Sequence, residues 1–174
     1  MKQLILGVFV LFLFSCTQQE IKRTNTPTYF NLSGYFEGEV ARLRKTDPTI
    51  IKGVIAAGKS EQISIKISDW KTELSSFSTA DINKASWKGE FSETVIDGNT
   101  AYSTSNPKIP IKRIEIIKTN GKVKGIKIFK RTKNYLYKSI DTLLYYPDSL
   151  YLIQNLQDIT LLGEKKYQVI GKFK

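Results

Sequence analysis

From Trp87 to the end of the chain, alternating apolar residues give way to turn dipeptides roughly every ten residues, and this rhythm limits the chain to antiparallel sheet. Runs rich in β-branched and aromatic residues predict strands over 87–96, 100–103, 111–118, 122–131, 134–146, 150–156 and 165–173, with a weaker one over 159–162. Asp97-Gly98-Asn99, Asn120-Gly121 and Pro147-Asp148 mark the turns between them. Upstream, 49–57 and 60–67 predict one more pair joined at Gly58-Lys59. In the second of these, Ile63, Ile65 and Ile67 alternate with Ser64 and Lys66, which predicts one buried and one wet face.

Two helices are predicted ahead of the meander. Leu32, Tyr35, Phe36, Val40 and Leu43 fall on one helical stripe, with Asn31 as N-cap and Asp47-Pro48 as the stop. Gly34 and Gly38 lower its intrinsic propensity, so this helix depends on packing. A second helix opens at Ser68-Asp69 and carries Trp70, Leu74 and Phe77 at i, i+4 and i+7, with Ser68 as its cap. Ala80-Asp81-Ile82 is read as a short turn or helix leading to Trp87.

No segment alternates strand, helix and strand, which excludes a parallel sheet. The expected class is α+β: a curved antiparallel β-meander of about six to seven strands, packed by one or two helices from the N-terminal half. Register can be read at one hairpin. A two-residue Asn120-Gly121 loop would pair positions summing to 241 and put Ile114 and Ile116 on the face opposite Ile126 and Ile128. A three-residue loop with Gly121 left-handed sets Ile114 opposite Ile126, so the longer loop is predicted.

The chemistry open to the chain is narrow. It has no His and a single Cys, Cys16, which excludes Ser-His-Asp and Cys-His catalysis, Cys/His zinc sites and His-ligated haem. Among the carboxylates, Glu37 and Glu39 lie two apart on a helix and do not face each other. Glu90 and Glu93 lie three apart on a predicted strand and point to opposite faces, and Asp141 and Asp148 complete the candidates. Ser68-Asp69-Trp70-Lys71 has the Ser-x-x-Lys spacing of penicillin-binding enzymes, but the chain is far shorter than that fold. No phosphate loop and no calcium loop is present. No catalytic residue, cofactor or metal is expected.

At the N-terminus, Lys2 and an apolar run over 4–14 form the first two parts of a secretory signal, too short to span a bilayer. Leu13-Phe14-Ser15-Cys16 resembles the lipobox of bacterial lipoproteins, with Phe14 bulkier than the usual small residue. On these sixteen residues the chain is similar to small lipoproteins of the Bacteroidota type. The resemblance implies a signal peptide over 1–15, an acylated Cys16 with a flexible tether over 16–29, and one domain over 30–174. Thr17 stands where an Asp would imply retention in the inner membrane, and the stretch 17–23 lacks the acidic cluster of surface-exported relatives. The implied location is the periplasmic face of the outer membrane, with surface exposure as the alternative. Asp141-Thr142-Leu143 and Asp148-Ser149-Leu150 resemble the glycosylation site of the same lineage.

The net charge of +11 is concentrated. Between Lys108 and Lys138 lie eleven basic residues and one acid, Glu115. Lys112, Arg113, Lys118, Lys122, Lys124, Lys127, Lys130, Arg131 and Lys133 are the candidate contacts to an anionic surface, and in a lipoprotein the nearest is the headgroup layer. The same lysines also suit a solvated face that keeps exposed strands from aggregating. Interleaved Tyr135, Tyr137, Tyr145, Tyr146 and Tyr151 suit strands without a nucleic-acid role, and export argues against nucleic acid. The expected function is a non-catalytic docking module for an envelope protein or anionic lipid. The alternatives are an acyl-chain carrier of half-barrel type and an enzyme using carboxylates.

Overall fold

A computed structural model of the chain describes residues 28–56 and 58–174. The expected signal peptide, Cys16 and the tether up to Pro27 lie outside the described residues, as does Ala57. Among the described residues, three α-helices precede or interrupt a nine-stranded, wholly antiparallel open sheet. The order is β2-β1-β9-β8-β7-β6-β5-β4-β3, formed by β1 (Thr49–Ala56), β2 (Lys59–Lys66), β3 (Ser92–Ile96), β4 (Asn99–Ser103), β5 (Ile111–Thr119), β6 (Lys122–Lys133), β7 (Tyr137–Tyr146), β8 (Leu150–Ile159) and β9 (Gly163–Phe173). The expected count of six to seven strands is therefore corrected to nine. Strands β3 to β9 form an uninterrupted meander, and the β1–β2 hairpin extends it by pairing β1 with β9.

Helix α1 (Leu32–Thr46) forms as the apolar stripe predicts. Asn31 Oδ1 accepts from the Gly34 N–H at 2.9 Å, Leu32, Phe36 and Leu43 are buried, and Asp47 ends the helix in the left-handed region before Pro48. The second predicted helix is two short ones, α2 (Trp70–Glu73) and α3 (Ser75–Ser78), with Trp70, Leu74 and Phe77 all buried as the spacing requires. Asp69, not Ser68, is the cap: its carboxylate accepts from the N–H groups of Lys71 and Thr72 and from the Thr72 hydroxyl. Beyond Leu74 the Ser78 and Thr79 hydroxyls donate back to the Ser75 carbonyl, a competition that keeps α3 to one turn.

The helical side chains that touch the sheet do so on one face. Phe36 and Phe77 stack on each other and both meet Tyr145 of β7 edge-on, while Trp70 stacks on Phe173 and meets Tyr151 of β8. Aromatic pairs of this geometry add about 0.5–1.5 kcal/mol each beyond the area they bury. Beneath them a continuous row crosses five strands, Ile116–Ile126–Tyr145–Tyr151–Gly171, flanked by Ile114–Ile128–Leu143–Ile153–Val169. Tyr29, assigned by sequence to the tether, belongs to this core through edge contacts with Phe91 and Tyr102.

Other expectations change. Strand β2 is the sheet's edge, beyond the helices, so Ile63 and Ile65 stay 55% and 37% exposed and only Ile67 packs on the core. The strand predicted over 87–96 begins at Ser92, because Ala85–Trp87 is a 3-10 turn and Gly89, at φ 80°, bends Phe91 toward Tyr29. Asn134 closes a turn instead of opening β7, and 160–162 is the β8–β9 turn, not a strand.

The β5–β6 hairpin corrects the predicted loop. It has two residues, Asn120 at φ 51° and Gly121 at φ 74°, with Thr119 paired to Lys122. Lys124 is then an extra residue: Lys118 pairs with Val123 but Ile117 with Gly125. The bulge shifts the register by one, so Ile114 faces Ile128 and Ile116 faces Ile126. All four reach the buried face, with different partners than expected.

Candidate functional site

Two carboxylates at the helix–sheet interface are held by several partners each, while the indole N–H of Trp70 is buried there without one. Glu39 of α1 accepts from the Tyr145 hydroxyl at 2.5 Å and from Arg42, which also holds Asp148 at 2.7 Å. Glu73 of α2 accepts from the Tyr151 hydroxyl at 2.5 Å and pairs with Lys52 of β1 at 2.7 Å. Burial raises the Tyr145 and Tyr151 hydroxyls well above the ordinary tyrosine range, and each hydrogen bond to a carboxylate adds to this. Hydrogen bonding to Glu39 likewise raises the Arg42 guanidinium. Each of these carboxylates is held by both a cation and a phenol from another element, and the clusters fasten helices to sheet.

A third cluster lies farther along the same face. The buried Ser139 donates to Asp141 at 2.9 Å, Asn155 donates to both, and Lys130 stands 3.3 Å from Asp141. The Ser139 hydroxyl spends its proton on a carboxylate and accepts from an amide, which makes it a structural knot. Of the other carboxylates weighed, Glu37 accepts from Ser33, and Glu90 lies before β3, where Asn106 donates to it. Among the described residues no cluster of three or more carboxylate, His or Cys groups is placed to hold a metal. No described helix is long and apolar enough to cross a membrane.

The nine basic candidates do not share a face. Lys112 and Lys124 occupy bulges, and strand alternation sends Arg113, Lys127, Arg131 and Lys133 to the helix-free face and Lys118 and Lys130 to the other. Lys118, Lys122 and Lys124 gather at the β5–β6 turn, and Arg131 and Lys133 lie at the far end of β6. Several are spoken for: Arg113 and Lys127 pair with Glu115, Lys130 with Asp141, and Lys112 donates to the Asn106 carbonyl. Lys118, Lys122, Lys124, Arg131 and Lys133 make no ion pair among the described residues.

What the sequence left hidden is the helix-free face. Leu144, Leu152 and Ile170 are cross-strand neighbours at the middle of β7, β8 and β9, with Phe129 and Tyr146 beside them and the polar row Thr142–Gln154–Gln168 between them and Ile140 and Leu156. None is fully buried, and Ile140 and Leu156 are exposed. Arg113, Lys127, Lys166 and Lys172 stand at its borders. A hollow of about 510 Å³ opens toward β3 on the same face, lined by Asp97, Arg113, Glu115 and Lys127 among others. The chain matches no family model, no curated protein and no solved structure.

Proposed function

We propose that the chain is a lipid-anchored, non-catalytic docking module of the periplasmic face of an outer membrane. Acylated Cys16 supplies the anchor, and the helix-free face of the sheet is the surface that meets an envelope protein. The observation that carries this reading is the half-buried Leu144–Leu152–Ile170 row, which no helix covers and which Lys166 and Lys172 border. Protein interfaces have this composition, and contiguous apolar surface on a monomer marks such sites. The partner's matching surface is apolar at its middle and acidic at its margin. A lipid carrier needs an apolar hollow, whereas the space between helices and sheet is filled by Phe36, Phe77, Leu143 and Tyr145. The test is a photo-crosslinking residue at Leu152, with another at Ser64 on edge strand β2 as control, in the native host. One discrete envelope adduct from 152, lost in the Leu144→Lys variant and absent from 64, supports docking. No adduct, or the same adducts from both positions, sinks it. Intact mass of the purified chain reads the acyl anchor separately.

A further inference from the structure

We propose a second, separate contact: the paired turns at one end of the sheet form a tip that enters the headgroup–acyl boundary of an anionic bilayer through Tyr135, Leu136, Leu161 and Leu162. The β6–β7 turn is shaped by Asn134, whose side-chain oxygen accepts from the N–H groups of Leu136 and Tyr137. The β8–β9 turn is tied to it, since Thr160 donates through its N–H to the Leu136 carbonyl at 2.9 Å and through its hydroxyl to the Tyr135 carbonyl. The two turns therefore project as one unit. On it Tyr135 and Leu161 are fully exposed, and Leu136 and Leu162 are 70% and 67% exposed.

Leu161 is placed there against the backbone's preference. The β3–β4, β5–β6 and β7–β8 turns put Asp97-Gly98, Asn120-Gly121 and Asp148 at their left-handed positions, residues suited to them. Only in the β8–β9 turn does a leucine take that conformation, at φ 72°, and nothing in the described chain covers its side chain to offset the strain. A strained, exposed, branched apolar residue beside three more is the composition of a surface that becomes buried elsewhere.

The occupant is identified by shape and charge. The tip protrudes and has no groove for a peptide, while the exposed Lys133, Lys138, Lys165 and Lys166 flank it against two acids, Asp158 and Glu164. Three of these lysines line a hollow of about 360 Å³ beside the tip, with Leu156 at its wall. Apolar side chains in front, a tyrosine among them and lysines behind match the layers of an anionic bilayer from acyl chain to phosphate. The thirteen steps from Cys16 to Tyr29 reach at most about 47 Å, which keeps an anchored domain close to the surface. The inference rests on the acyl anchor of the reading above, and is independent of docking at the helix-free face.

The test uses the mature acylated protein. Because Cys16 is blocked, Leu161→Cys supplies a unique thiol for an environment-sensitive dye, and Ile63→Cys on the exposed edge of β2 supplies the control. In phosphatidylcholine–phosphatidylglycerol vesicles the dye at 161 is expected to shift to the blue and to be quenched by acyl-brominated lipid, while the dye at 63 does neither. The Leu136→Ser/Leu162→Ser double variant should lower quenching at 161 to the level of 63, and ~0.5 M salt should weaken it. Absence of quenching at 161 in a protein of native circular dichroism overturns the proposal. So does a blue shift in vesicles without quenching by acyl-brominated lipid, which would mean contact between protein molecules. Intact mass showing unmodified Cys16 would remove the anchor and this proposal with it, whereas an adduct at 152 without quenching at 161 would remove the tip alone.

Discussion

Gly171 of β9 lies directly under the Tyr151 ring, where a Cβ would come within 2.1 Å of a ring carbon. Tyr151 cannot retreat, because its hydroxyl is held by Glu73 and its ring is packed against Trp70 and Phe173. Gly171→Ala is therefore expected to cost about 2–3 kcal/mol, of the size seen for overpacked cores, measured by chemical denaturation. A loss below half a kcal/mol would mean that Tyr151 swings aside at little cost. The two buried phenols also set a limit of pH. Their folded values are raised above the ordinary 10.0, so the folded state keeps protons that the unfolded chain releases. The stability this gives is fully present below pH 10 and is lost as pH rises beyond it. Urea midpoints should fall above that point, and Tyr145→Phe should flatten the fall even while costing stability at neutral pH. A midpoint unchanged up to pH 11 in the parent chain would contradict the coupling.

Secondary elements show where local sequence decides and where it does not. Turn chemistry and apolar spacing made α1 and the strand-and-turn series of the second half legible, since Asn31, Asp47-Pro48 and Asn120-Gly121 act through their nearest neighbours. The bulge at Lys124 was not legible, because a one-residue offset can sit in the loop or in the strand, and both place Ile126 and Ile128 inward. The candidate surface was hidden for a related reason: Leu143-Leu144, Tyr145-Tyr146 and Tyr151-Leu152 are apolar on both faces, so alternation does not say which face the helices cover. Charge density pointed to 108–138, yet bulges at Lys112 and Lys124 and nearby acids dispersed it. The bulge gives a sharp expectation. Deleting Lys124 leaves Thr119–Lys122 and Ile116–Ile126 in their present pairs, so the variant should fold with a loss under about 1 kcal/mol. Deleting Lys127 instead turns Ile128 outward from its place against Ile114, and that variant should give no cooperative transition. Equal stability of the two deletions would show that the register slips freely.

At the scale of the whole chain, the decisive pairing joins β1 to β9. Residues Ile50 to Ala56 find their partners at Tyr167 to Phe173, more than a hundred positions later, and β9 is interior, with β8 on its other side. The first hairpin thus cannot dock until the last strand exists, and a sheet built on so distant a pair forms slowly, on the order of milliseconds to seconds. Removing β9 differs from trimming an edge. A chain ending at residue 162 loses Val169 from the core and Phe173 from beneath Trp70, and it leaves Ile50 and Val54 without their cross-strand partners. The total stability of such a domain is only about 5–15 kcal/mol, and losses on this scale exhaust it. The truncated chain should show no sharp near-ultraviolet signal. Because the gap is one strand wide and framed by two intact hairpins, a synthetic peptide of 163–174 should restore that signal at stoichiometric concentration, and a peptide carrying Gly171→Ala should do so poorly. A truncated chain that melts cooperatively on its own would place the stabilising core entirely in the β3–β8 meander and its helices, with β1 and β2 as an appendage.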